Sequence, residues 1–383
     1  MTTSQRPTRI LFCWSRLSGY MAACWRHLAQ RPDVDLRVLA WSTASPSDHA
    51  DFAETVASGV DCRLLSAQDR TNFERIEQEA CEFAPDVLVI SGWMSPAYTK
   101  LVQRLRPRVR QVVMGMDTPW QGRAKQFLTR VRHASLLRQV DDVVVAGERS
   151  WQYARRLGFA DSSIHRGVYA WDEVAFAPVA EQRTAVWESP PRFLYVGRYA
   201  EEKGLKTLLD AYRVYREQRD DPWSLWCCGA GPLESCVNGQ PGVTNLGFVQ
   251  PDRLPEVLRD ATAFVLPSNY EPWGVALAEA MGAGLPGIAT TACGAAIDLI
   301  RDDWNGQLVA TGCTSALAEA LMWMHDQSDR LAEMGRNAAL SAQPFTAANW
   351  CRRWSRLLEL GDDAARDQDL HDRMPKQTDV AAA

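Results

Sequence analysis

Two cations and two glutamates in the second half of this chain have the spacing to hold a charged, hydroxylated ligand. Arg198 and Lys203 follow an apolar run and sit between glycines, in Val196-Gly197-Arg198-Tyr199-Ala200-Glu201-Glu202-Lys203-Gly204. Arginine offers a planar fork to a phosphate and lysine a point charge. A lone pair of loop cations is more often simply solvated. Glu271 lies in a loop and Glu279 on the second turn of the helix that follows, in Glu271-Pro272-Trp273-Gly274-Val275-Ala276-Leu277-Ala278-Glu279. A helix starting near Gly274 turns bare amides and the positive end of its dipole toward an anion. Glycine there lets a diphosphate come close to the main chain. A carboxylate on each side of that anion can then accept hydroxyl hydrogens. Two helix-flanking glutamates are commonplace alone. Weight comes from the fixed order of these pieces with two further turns, Gly229-Ala230-Gly231-Pro232 and Cys293-Gly294-Ala295-Ala296 with Asp298 behind it.

Short apolar runs alternating with amphipathic stretches must position these residues. In the first half, strands are expected at 9–14, 36–41, 85–91, 111–116 and 142–146, and helices at 18–30, 73–83, 98–106 and 121–139. Strand and helix in turn mean βαβ units and a parallel sheet. Residues 168–191 read as a linker ending in Trp187-Glu188-Ser189-Pro190-Pro191. The alternation restarts with strands at 192–196, 223–228, 243–246, 262–266 and 287–290, and helices at 205–217, 254–259, 274–282 and 315–325. The expected fold is α/β, two Rossmann-like domains facing a cleft. Residues 1–167 form the first domain, 192–345 the second, 346–360 a terminal helix packing back toward the first domain, and 361–383 a polar tail. Ligands of open parallel sheets bind beyond the carboxyl ends of the strands, where the four pieces lie.

The 383 residues suffice for two such domains, and 46 % hydrophobic with 23 % charged residues excludes a disordered or collagenous chain. A net charge of −5 argues against a nucleic-acid partner. The longest apolar runs, such as 143–147 and 264–267, are far too short to span a bilayer, and the polar start at 1–9 lacks the apolar stretch of a signal peptide, so a cytoplasmic location is expected. The ten cysteines show no Cys-x-x-Cys spacing and read as reduced core residues.

With those motifs in place, the chain resembles the retaining glycosyltransferases of family 4 (glycosyl transferases group 1), which have the GT-B fold. The family's Gly-Arg-x-x-x-x-Lys-Gly is matched by Gly197-Arg198 and Lys203-Gly204, its Gly-x-Gly-Pro by 229–232, its Leu-Gly-Phe-Val by Leu246–Val249, and its Glu-x₇-Glu by Glu271 and Glu279. The resemblance is dense from Arg192 to Val309 and concerns fold pattern alone over 1–167. It implies metal-independent, retaining transfer of a sugar from a nucleotide sugar, such as a UDP- or GDP-sugar, to a sugar, glycan or lipid-linked acceptor, as in polysaccharide biosynthesis, without another cofactor. Arg198 and Lys203 would hold the donor's diphosphate, Glu271 the donor sugar and Glu279 the ribose. Gly19, Gly197 and the amides near Trp273, Gly274 and Val275 would face the phosphates or sugar. Many members carry a histidine in the loop after the strand expected at 111–116, and here Asp117 stands in that loop as the acceptor-side candidate. His27, His49, His133 and His165 read as surface or packing residues. The alternatives on the same fold are a sugar-nucleotide epimerase and a non-catalytic nucleotide-sugar binder. A nicotinamide-dependent oxidoreductase is not expected, because this chain lacks the Gly-x-Gly-x-x-Gly after strand one.

Metal-dependent glycosyl transfer on another fold uses Asp-x-Asp after a strand. Asp33-Val34-Asp35 is expected to precede its strand and Asp367-Gln368-Asp369 to lie in the tail, both solvated. One charge pattern stands apart. Lys100, Arg104, Arg106, Arg108, Arg110, Arg123, Lys125, Arg130, Arg132 and Arg138 are answered only by Asp117 within that stretch. Phe127, Leu128, Val131, Ala134 and Leu137 give the 121–139 helix an apolar side. That side is either the domain core or part of a basic surface for peripheral contact with an anionic membrane or a lipid-diphosphate acceptor.

Overall fold

The structure, a computed structural model, describes residues 6–41, 54–183 and 190–361. It contains two wholly parallel sheets. The first has β1 (Thr8–Trp14), β2 (Val34–Trp41), β3 (Asp61–Leu65), β4 (Val87–Ile90), β5 (Gln111–Met116), β6 (Asp142–Val145) and β7 (Ile164–Arg166), in the order β3-β2-β1-β4-β5-β6-β7. The second has β8 (Arg192–Val196), β9 (Ser224–Cys228), β10 (Val243–Gly247), β11 (Ala263–Leu266), β12 (Gly287–Thr290) and β13 (Gly306–Val309), in the order β10-β9-β8-β11-β12-β13. The central strands β4 and β11 are buried at every residue, because helices cover both faces of a parallel sheet. Each sheet reverses its order beside its first strand, between β1 and β4 and between β8 and β11. Those switch points open the crevices in which such sheets bind ligands.

The segment 168–191 departs from a linker over its described part. Val168, Ala170 and Trp171 are buried, and Glu173–Gln182 is a helix. Asp172 caps it by accepting from the amides of Val174 and Ala175, and it packs on the helices Leu254–Asp260 and Val275–Gly282 despite Pro178 inside it. The Trp171 indole donates to the carbonyl of Ala342 at 2.8 Å, and its main chain exchanges bonds with Phe345 and Ala347. The chain therefore crosses between the domains twice, side by side.

After the second crossing, the helix Ala347–Leu357 packs on the helix Gly19–Ala29 of the first domain. Trp350 and Trp354 stack at 4.8 Å, and Trp354 lies 5.3 Å from Phe12. Such aromatic pairs contribute ~0.5–1.5 kcal/mol beyond the area they bury. One buried cluster runs from Phe12 and Trp25 through Trp350 and Trp171 to Leu277 and Met281, so the two domains share apolar packing.

Other elements also differ from expectation. The 121–139 stretch is two helices, Ala124–Arg132 and Ala134–Leu137, broken at His133. Helices at Glu148–Leu157, Gly294–Leu299 and Leu331–Ala342 and strands β3, β7 and β13 join the expected set. Asp35 lies within β2 rather than before it, and Asp33 accepts from the Arg31 guanidinium at 2.9 Å and the Gly361 amide at 3.0 Å. Of the cysteines, Cys62, Cys236 and Cys313 are half-buried and Cys81 is exposed, and the other six are buried. The stretches 42–53, 184–189 and 362–383, with His49, the Trp187–Ser189 part of the expected linker, Asp367, Asp369 and most of the expected tail, lie outside the described residues. Among the described residues no helix is long and apolar enough to cross a membrane.

Candidate functional site

A cavity of about 240 Å³ opens between the domains at the carboxyl ends of β8, β9 and β10. Gly19 and Tyr20 form one wall, at the start of the first domain's leading helix. Gly197, Arg198, Gly229 and Ala230 form the second-domain side, with Phe248, Val249, Pro251 and Leu254 beyond them. Val275, Ala276 and Glu279, on the helix Val275–Gly282, complete the lining. Two helix N-termini, one from each domain, thus meet at this cavity, and each has a positive dipole end suited to an anion.

Two glycines at the site sit in tight places. A Cβ on Gly19 would lie 3.0 Å from the Pro251 Cβ across the cleft, so any side chain there asks Pro251 to give way. Gly274 has φ +105°, and a Cβ on it would lie 2.7 Å from the Cys293 Sγ. It precedes the helix without a side-chain cap, which leaves the first amides open toward the cavity side.

The loop before that helix is tied down from behind. The Glu271 carbonyl accepts from the Gly294 amide at 3.1 Å, and the Trp273 carbonyl accepts from the Ala295 amide at 2.7 Å and the Cys293 thiol at 3.0 Å. In front, the Glu202 carbonyl accepts from the amides of Asn269 and Tyr270 at 2.9 and 3.0 Å. The two loops are therefore one unit. Across it, the Lys203 ammonium donates to a Glu271 carboxylate oxygen at 2.6 Å, and the Arg198 guanidinium pairs with Glu202. The Arg198 carbonyl is fixed by the Tyr195 hydroxyl at 2.8 Å.

Glu279, by contrast, has no ion-pair or side-chain hydrogen-bond partner among the described residues. Burial, with a smaller contribution from the charge of Asp172, pushes its carboxyl up to about 7. A carboxyl group at that value can ionise as a ligand delivers hydrogen-bond donors to it. Asp117 lies on the first-domain side. Its carboxylate accepts from the Tyr169 hydroxyl at 2.9 Å, and burial raises its pKa against the lowering effect of that bond. The Tyr169 ring meets Tyr20 edge-on at 5.5 Å, and Tyr20 lines the cavity.

Of the residues singled out by sequence, Gly19, Gly197, Arg198, Val275 and Glu279 line the cavity together, with Lys203 and Glu271 paired in the adjoining loops. Trp273 takes a different place. Its indole is buried, 5.3 Å from Phe345 and against Gly147 of the first domain, so only its main chain remains on the ligand side. None of His27, His133 and His165 lines the cavity: they sit by Glu173, Trp93 and Asp142. The sequence reading passed over Tyr20, Phe248, Val249, Pro251 and Tyr169. Phe248 and Val249 belong to the Leu-Gly-Phe-Val motif, which named them without giving them a place, and Tyr169 sat in the supposed linker.

Known proteins bear on this site in two ways. The family described as Glycosyl transferases group 1 matches residues 179–341, the part of the chain that carries the second sheet. Among curated proteins, the chain is 29 % identical over 234 residues to alpha-D-kanosaminyltransferase of Streptomyces kanamyceticus, covering 57 % of this chain and 58 % of that protein. It is 30 % identical over 233 residues to D-rhamnosyltransferase WbpZ of Pseudomonas aeruginosa, covering 57 % and 59 %. The chain thus spans less than three-fifths of the length of these curated relatives. Among solved structures, Anabaena Alr3699/HepE in complex with UDP and glucose superposes with a TM-score of 0.70 at 16 % identity, covering 92 % of this chain and 99 % of that one. That likeness shows the fold, two Rossmann-like domains in the GT-B arrangement.

Proposed function

We propose that the chain is a glycosyltransferase that moves a sugar, with retention of configuration, from a nucleotide sugar to a sugar, glycan or lipid-linked acceptor. The observation that carries this reading is the interdomain cavity. It brings a guanidinium, a helix N-terminus and the Glu279 carboxyl group together beside a lysine–glutamate pair. Those are the groups a nucleoside diphosphate joined to a sugar requires.

In the reaction the bond from the sugar's anomeric carbon to the diphosphate oxygen breaks, a bond to the acceptor's hydroxyl oxygen forms, and that hydroxyl's proton passes to the departing diphosphate. Charge grows on the departing diphosphate. Arg198, Lys203 and the amides at the start of the Val275–Gly282 helix would stabilise it, and preorganised charge of this kind supplies a large share of catalysis. No divalent metal is required on this reading, because the two cations do its work. Glu279 would accept hydroxyls of the nucleoside's ribose. Glu271, in the loop beyond the diphosphate, would hold the donor sugar. Asp117, positioned by Tyr169, would face the acceptor. The relatives named for kanosaminyl and rhamnosyl transfer and the UDP and glucose of the structural neighbour support this class of donor. The setting would be the cytoplasm, with the first domain touching an anionic membrane.

A panel of UDP-, GDP- and ADP-sugars in a thermal-shift assay tests it, since a bound donor raises the unfolding midpoint by mass action. Stabilisation by one nucleotide class, followed by acceptor-dependent release of nucleoside diphosphate, is the expected result. No stabilisation by any of them would sink the reading, and a released free epimer without acceptor would identify an epimerase instead.

A further inference from the structure

The helix Ala124–Arg132 is built with its polar side inward. Gln126 is its one buried residue. The Gln126 side chain accepts from the Gln121 amide at 2.9 Å and donates to the Pro119 carbonyl at 2.9 Å, which fixes the helix to the loop that begins at Asp117. The apolar residues face solvent. Phe127, Leu128 and Val131 are 63 %, 67 % and 76 % exposed. The domain core therefore does not account for Phe127, Leu128 and Val131, whereas Leu137 of the same expected side packs against that core and Ala134 is half-buried.

Successive residues turn by ~100° around a helix. On that count Phe127, Val131, Ala124 and Leu128 fall on one arc. Lys125 and Arg132 lie along one border of it, and Arg123 and Arg130 along the other. All four cations are exposed, and none is in an ion pair among the described residues. No acidic residue occurs between Asp117 and Asp141. Phe127 is rooted on the Trp120 ring at 4.9 Å, and Val131 continues into a groove of about 590 Å³ whose lining includes Arg130, Arg138, Leu137 and Phe159.

We propose that this face seats on an anionic lipid bilayer, with Phe127, Leu128 and Val131 entering the headgroup boundary and Lys125, Arg130 and Arg132 against lipid phosphates. An apolar arc bordered on both sides by cations matches a charged layer lying above an acyl layer. The absence of any carboxylate over the stretch fits a surface of one sign. The loop from Asp117 runs directly into this helix, so the seat holds the acceptor side of the cleft near the lipid. This deepens the membrane contact proposed for the first domain and does not depend on the transfer reaction.

Co-sedimentation of the full chain with vesicles of phosphatidylglycerol and phosphatidylcholine in equal parts tests it, at about 0.1 M and about 1 M salt. Binding at low salt, loss at high salt and no binding to phosphatidylcholine alone are expected. Lys125→Glu, Arg130→Glu and Arg132→Glu together should lower partitioning ~100-fold or more. Leu128→Ser with Val131→Ser should lower it by roughly 10-fold. Unchanged unfolding midpoints and unchanged nucleoside diphosphate binding in both variants separate this result from failure of the transferase reading. No binding of the wild type to the anionic vesicles at low salt overturns the proposal, as does equal binding by the triple variant. A dimer in solution that Leu128→Ser abolishes, with no vesicle binding, gives the face to a second copy and also overturns it.

Discussion

Lys203 and Glu271 come from loops after different strands, yet their charged atoms lie 2.6 Å apart, with side chains only 17 % and 13 % exposed. The cation proposed to hold the diphosphate is thus itself held by the carboxylate proposed to hold the sugar. A donor must share or replace that contact. The pair preorganises both groups and also lowers the free charge that an incoming diphosphate meets.

Removing the carboxylate therefore separates the two roles. Glu271→Gln frees Lys203, so affinity for the nucleoside diphosphate should stay equal or rise. Transfer should fall by roughly 10–100-fold, because a lost hydrogen bond to a charged group costs ~1.5–3 kcal/mol. Calorimetry with the nucleoside diphosphate beside a transfer assay checks both halves. A loss of nucleoside diphosphate affinity in Glu271→Gln would reverse the assignment.

The cations carry the metal-independent reading. Arg198→Ala should lower kcat by ~10²-fold or more, the usual cost of one preorganised donor to a developing anion. Lys203→Ala should do the same and also lower the unfolding midpoint, since it takes the cation from a half-buried Glu271 and leaves it the Ser268 hydroxyl at 3.4 Å. Transfer rates measured with and without a chelator complete the test. Full activity in Arg198→Ala, or activity abolished by the chelator, contradicts it.

Much of this site was legible because parallel strands, buried on both faces, read as continuous apolar runs, and the chemistry follows directly after them. Pro267 and Gly197 each mark the end of such a run. The elements that were missed lack that signal. The strands β3 and β7 lie at sheet edges, and β7 is three residues long. The helix Glu148–Leu157 is strongly polar in sequence, and Glu173–Gln182 contains Pro178, which speaks against a helix until tertiary packing holds it. The cavity's first-domain wall was legible only at Gly19. Tyr169 reaches Asp117, and Tyr20 reaches Tyr169, through contacts between distant segments, which no local pattern encodes.

Glu279 should make donor binding depend on pH. Its carboxyl is raised to about 7 by burial, so the folded protein holds a proton there that the unfolded chain gives up at lower pH. That contribution favours the folded state less as pH rises through the window from the ordinary glutamate value toward about 7. Ribose hydroxyls are best accepted by the ionised form. Affinity for the nucleoside diphosphate should thus rise about 10-fold between about pH 6 and about pH 8, with proton release on binding below that range's upper end. Glu279→Gln should bind more weakly at the upper end and flatten the profile. Calorimetry in buffers of different ionisation enthalpy reads the proton count, and a wild-type profile as flat as that of the variant would remove Glu279 from the ribose.

Gly19 tests whether the domains must close on the ligand. Its missing side chain allows the leading helix of the first domain to reach Pro251 of the second, where an added Cβ would stand 3.0 Å from the proline Cβ and 3.2 Å from its Cγ. Alanine asks the proline to give by a few tenths of an ångström. Valine adds two methyls on the same line and must hold the domains apart. Both positions lie at the cleft and not in a domain core, so the unfolding midpoint should change little. Donor affinity should fall slightly in Gly19→Ala and by roughly 10-fold in Gly19→Val, since one misplaced wall removes packing over the whole cavity. The graded loss is the informative result. If Gly19→Val binds the donor as tightly as the wild type, the second domain holds the nucleotide alone and the first domain's helix N-terminus has no share in the phosphates.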